Sequence, residues 1–322
     1  MISRRILRIK ALMALYAFNR RDDDDLVKAE KELVFSIEKT YELYHLILLL
    51  ILEIADIANE KIELALQKKM PDPQDLRPNR RFINNKVIDH IRNNQQLKAY
   101  TSGKAVSWVN YPEIPRKLYN SMVSWKPYLE YMASSDSNYA ADKKILIRIA
   151  TEFLAASEDL AAGLEEQSIY WNDDLEYILA MVEKTLKRWT PGEGVLHELM
   201  PLYKNEEDEK YVIRLFRKSV LDAARCNDLI DRNTTNWEIE RIALMDTLVM
   251  QLAITELIEF PEIPVKVTLN EYIEIAKYYC TSKSSTFVNG ILDKVVMEMR
   301  SSNLFRKTGR GLIGEIGIPD NN

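Results

Sequence analysis

The chain has 322 residues, 47% of them hydrophobic, nine glycines and a formal net charge of −5. That is enough chain for one large or two modest domains around a real core, and the acidic balance excludes a generally basic nucleic-acid binder, so any such contact has to come from a local patch. Two cysteines without paired spacing, Cys226 and Cys280, fit a reducing cytoplasm better than a disulfide scaffold.

Residues 1–21 carry Arg4, Arg5, Arg8, Lys10, Arg20 and Arg21 and no acid. Ile9, Leu12, Met13 and Tyr16 follow helical spacing, which predicts an amphipathic helix with a basic cluster at its start. Cations at a helix N-terminus oppose the local dipole, so they read either as a solvated face or as serving something else. The segment lacks the apolar core and small-residue cleavage site of a signal peptide. After the acidic break Asp22–Asp25, residues 26–67 predict one or two long helices. Their greasiest run, Leu46 to Leu52, is far short of the roughly 20 residues of a membrane span and reads as a buried helix segment. Three prolines between Met70 and Pro78 mark a linker, and residues 82–135 predict short helices around Pro112, Pro115 and Pro127.

Two more helices are expected over Lys143–Leu164 and Asp173–Trp189, with a strong break at Thr190–Gly194. Beyond Pro201 the apolar faces sharpen: Val212, Leu215, Phe216, Leu229 and Ile230, then Ile242, Met245, Leu248, Val249 and Leu252. Pro261 and Pro264 enforce an extended turn, and Thr268 with Glu271 has the spacing of a capping box opening the next helix. Val288, Ile291, Leu292, Val295 and Met299 give the last helix its buried face. No run alternates with period two, so the expected class is all-α.

The residues offer little for catalysis or cofactors. His45, His90 and His197 stand alone, no zinc-ligand spacing exists, and there is no glycine-rich phosphate loop. Acid pairs such as Glu165–Glu166 read as solvated helix ends.

Three blocks stand in order near the C-terminus: Ile263-Pro264-Val265-Lys266-Val267, Asn270 to Lys277, and Phe287 to Lys294. Arg4-Arg5-Ile6-Leu7-Arg8 also precedes Ala14-Leu15-Tyr16. Together they resemble the NusB family of bacterial transcription antitermination factors. The resemblance implies a helical bundle of two subdomains formed by 1–21 and 205–300, enlarged by a helical insertion over 22–204, with 301–322 a flexible tail. It implies no catalysis and no cofactor. It further implies a cytoplasmic factor that binds boxA-like single-stranded RNA of ribosomal RNA leader transcripts with the ribosomal protein NusE, within the RNA polymerase antitermination complex and with no membrane.

On that resemblance Arg4, Arg5 and Arg8 supply cations to the RNA backbone. Phe287 stacks on a base, Lys294 touches phosphate, and Tyr16 and Asp246 serve the protein partner. From the residues alone Phe287 and Tyr16 read as core, Lys294 as solvated, and Asp246 as a surface acid with Arg241 as its candidate partner. Lys283 stands where several relatives carry an acid. The runner-up function is a helical interaction scaffold without RNA binding.

Overall fold

The computed structural model describes residues 2–70, 72, 73, 75–104, 106–192, 197–234 and 242–313. Among them every regular element is helical. The chain divides into two units, one of residues 38–202 and one of residues 2–37 and 203–313.

The second unit begins with α1 (Arg4–Asn19), capped by the Ser3 side chain, which accepts from the Ile6 amide. It has no acid in its first turn. The start of α2 (Leu26–Leu66) follows, and this 41-residue helix continues into the other unit. After the insertion come α10 (Glu206–Leu221), α11 (Ala223–Asn233), α12 (Leu244–Glu259), α13 (Val265–Tyr279) and α14 (Ser284–Ser301). Asn205 caps α10 by accepting from the Asp208 amide, and four acids fill its first turn, where they complement the dipole. In α12 every residue from Leu248 to Leu257 is buried. A helix apolar all round belongs at the centre, and α1, α10, α11, α13 and α14 all pack on it.

The insertion has its own core. Between Leu43 and Ala58, α2 buries Leu43, Tyr44, Leu46, Ile47, Leu48, Leu50, Ile51 and Ile54, so the greasy run is interior, and no described helix is long and apolar enough to cross a membrane. Around it lie α3 (Lys86–Asn93), α4 (Gln95–Lys104), α5 (Glu113–Met122), α6 (Lys126–Ala133), α7 (Tyr139–Arg148), α8 (Glu158–Gln167) and α9 (Leu175–Arg188). The single helix expected over 143–164 is interrupted: a π-helical turn at Ile149–Leu154 separates α7 from α8, and the Ser157 side chain caps α8 anew. Three tryptophans anchor this core through their indole N–H groups. Trp108 donates to Leu46 O, Trp171 to Lys39 O and Trp189 to Glu198 O. Part of the break expected at Thr190–Gly194 lies outside the described residues.

Of the tail expected over 301–322, residues 301–313 are held by a few specific contacts; residues 314–322 lie outside the described ones. The C-cap of α14 is followed by Asn303 at φ 52°. The Asn303 amide donates to Arg300 O and the Leu304 amide to Met299 O, the paired bonds of a Schellman turn. Asn tolerates this left-handed backbone better than most side chains. The strap then lies along the α12–α13 turn. Lys307 is 4% exposed and donates to Leu257 O and Phe260 O at 3.0 and 3.1 Å. The Thr308 amide bonds Pro261 O. Gly311 presses so closely that a Cβ would lie 2.0 Å from Pro261 O.

Candidate functional site

The basic head of α1 is built into the bundle by acids from three other helices. Arg8 is 3% exposed. Its Nε and Nη2 donate to the two oxygens of Glu256 on α12, at 2.7 and 2.9 Å. Glu256 is itself fully buried and accepts three further bonds: from Thr268 Oγ1 at 2.8 Å, from Tyr272 Oη at 3.3 Å, and a short one from Tyr211 Oη. Burial and the Glu256 carboxylate push both phenols well above their usual range, so they remain donors. A buried charge pair is tolerable only when its remaining donors and acceptors are met this fully.

Arg5 makes a bidentate pair with Glu271 on α13, at 2.9 and 2.8 Å, and half of its side chain stays exposed. Those bonds hold the Glu271 carboxyl below its usual range. Arg4 bonds Asp208 on α10 at 2.8 Å and lies 4.9 Å over the Tyr211 ring. The cations that oppose the α1 dipole are thus compensated through space by Asp208, Glu256 and Glu271.

This network also corrects the expected capping box. Helix α13 starts at Val265, behind Pro264, and Thr268 and Glu271 turn their side chains to Glu256 and Arg5. Satisfying a buried carboxylate outweighs a cap of about 1 kcal/mol.

The other expected site residues fall elsewhere on this unit. Phe287 is half-buried in the first turn of α14, and no aromatic ring among the described residues packs on it. It is therefore not the fully buried core residue that sequence spacing allows. Lys294, two turns on, is exposed, as is Lys283 just before the helix. Tyr16 is half-buried, with the Arg20 guanidinium 5.5 Å over its ring.

Asp246 is no surface acid: it is 7% exposed. Its Oδ2 accepts from Ser284 Oγ at 2.8 Å, while Oδ1 is buried with no hydrogen-bond partner among the described residues. Arg241, its possible partner, lies outside them. Burial and the nearby Asp246 carboxylate push the Cys280 thiol up. Among the described residues no group of three or more His, Cys, Asp or Glu side chains could hold a metal ion. Sequence reasoning missed Glu256, Tyr211 and Tyr272. The signal was present: a lone acid inside an otherwise apolar run needs a cation.

Comparisons with known proteins agree on one family. A profile described as "NusB family" matches residues 193–297. "Transcription antitermination protein NusB" of Salinibacter ruber is 40% identical over 125 residues, covering 38% of this chain and 78% of that protein. The protein of the same name from Chloroherpeton thalassium is 39% identical, over 32% of this chain and 49% of its own length. That from Alkaliphilus oremlandii is 34% identical, over 32% of this chain and 74% of its own.

Proposed function

The chain belongs to the NusB family, and from that premise we propose that it is a transcription antitermination factor. In this reading it binds boxA-like single-stranded RNA of ribosomal RNA leader transcripts together with the ribosomal protein NusE. Single strands are gripped by cations along the backbone and by flat side chains on which bases stack. The observation that carries the reading is Phe287: a large aromatic left half-buried at the head of a helix, with Lys283 and Lys294 exposed on the same helix and its approach.

The arginines divide their work. Arg5, with half its side chain exposed, and Arg4, one third exposed, keep donors for phosphate. Arg8 positions the helix that carries them. On the protein side, Tyr16, half-buried, and Asp246, 7% exposed and held by Ser284, belong to the proposed NusE interface.

The scaffold alternative draws on the same ion pairs, which neutralise part of the basic head. Titrating a boxA-like RNA with and without NusE over a salt series separates the two. The proposal expects binding that NusE strengthens and a log–log salt slope with about 0.7 per phosphate contact. No RNA binding in either arm would leave only the scaffold.

A further inference from the structure

The strap after α14 has features that the proposed RNA surface does not use. Residues 301–313 contain Arg306, Lys307 and Arg310 and no acid, in a chain of net charge −5. The three cations are treated differently. Lys307 is buried and spent on the carbonyls of Leu257 and Phe260, the C-terminal end of α12, where a helix dipole welcomes a cation. Arg306 and Arg310, on either side of it, are exposed, and neither side chain has an ion partner among the described residues.

Holding the segment down takes specific groups: the Schellman turn at Asn303, the buried Lys307 amine, the Thr308–Pro261 bond and a glycine at 311 where a Cβ does not fit. A strap held by these groups presents the Arg306 and Arg310 guanidinium groups at defined positions.

A chain of contacts connects the strap, through its buried Lys307, to the basic head of α1. Phe260, whose carbonyl takes Lys307, packs 4.7 Å from the Tyr211 ring, and Arg4 lies over that same ring at 4.9 Å. Arg8 grips Glu256, one helical turn before Phe260. The C-terminal end of α12 thus ties both the arginine helix and the strap to one end of this unit. Lys266, exposed in the first turn of α13, stands beside the turn that the strap covers.

We propose that Arg306 and Arg310 are a second phosphate-contact ridge, so that a single-stranded RNA bound at the head of α1 continues onto the strap. The proposal rests on the RNA reading above. Exposed guanidinium groups without an ion partner among the described residues suit a polyanion backbone, which each can fork bidentately, better than a protein surface of mixed charge.

The test uses the full chain and its Arg306→Ala/Arg310→Ala and Arg306→Lys/Arg310→Lys variants. Each is titrated with a boxA-like RNA and with an oligouridylate of the same length, over a salt series, and separately with NusE. Losing two phosphate contacts should flatten the log–log slope by about 1.4 and weaken binding roughly 25-fold near 0.1 M salt. The lysine pair should restore most of the slope, and melting temperatures should stay the same because neither side chain holds the fold. If the wild type binds RNA and the alanine pair keeps its full slope, the ridge is refuted and the RNA reading stands. If the wild type binds neither RNA, both fall. If the alanine pair loses NusE binding but not RNA, the strap belongs to the protein partner and this proposal is overturned.

Discussion

Arg8 and Glu256 place opposite charges where water cannot reach them, and neither can be removed alone. Arg8→Ala leaves a buried carboxylate with only hydroxyl donors, a defect that costs about 3–5 kcal/mol. The expected result is a melting temperature lower by roughly 10 °C, with any loss of RNA affinity following from misfolding. A variant that melts like the wild type would return Arg8 to the list of surface cations. Phe287→Ala should do the reverse. Loss of a stacked base costs about 1–3 kcal/mol of binding, and a half-buried ring leaves stability largely intact, so calorimetric affinity should fall while the melting temperature holds. In the insertion, burial pushes the His45 imidazole down to about 4. Its Nδ1 bonds Tyr41 O at 2.8 Å, and its ring stacks on Tyr100 at 3.7 Å. An unfolded imidazole takes up its proton near pH 6.5, the folded one only near 4. The stabilisation is therefore whole above about pH 6.5 and drains away as the pH falls towards 4. His45→Phe should flatten the dependence of melting temperature on pH across that window; identical slopes would assign it to other groups.

At the scale of elements, local periodicity announced most helices, because apolar spacing along one face needs no knowledge of partners. Helix α12 shows where that stops. Its apolar run was legible, but the fate of Glu256 within it depended on Arg8, 248 residues away. Thr268 and Glu271 had the spacing of a cap and were claimed by the same distant charges. Phe287 was legible as an aromatic at a helix start; its half-burial depends on neighbours that spacing does not name. The strap was illegible because its docking depends on single groups, Lys307 and Gly311, and not on a pattern. Gly311→Ala should force the backbone off Pro261, at a cost of about 1–3 kcal/mol. Gly309→Ala is the control: its Cβ meets open space, and only the φ of +52° resists it, about 1–2 kcal/mol. Fresh protease cuts within 302–313 for Gly311→Ala and few for Gly309→Ala would bear this out. Equal resistance in both would mean that the close approach does not hold the strap.

Over the whole molecule, the family profile covers α10 to α13 and most of α14, and residues 38–202 stand as a second unit with its own core. Its helices were legible as apolar faces and tryptophans; its boundary was not. The expected limits were 22–204, whereas the division between units falls at 37/38 and 202/203, because α2 runs unbroken across it. Limited proteolysis should cut first around 68–79, where no described residue is helical, and leave the rest of 38–202 resistant. Rapid digestion throughout that unit would contradict an ordered core.

The insertion also sets a clock. Arg4 and Asp208 are 204 residues apart in sequence, Arg8 and Glu256 248. At a synthesis rate of about 5–20 residues per second, Glu256 is made roughly 12–50 s after Arg8. Until Asp208 is made, most of the way through that interval, the first helix has none of the acids that later neutralise it. Its cations are left among the anions of the ribosome making it, and the head of the chain is among the last parts of the bundle to find its place.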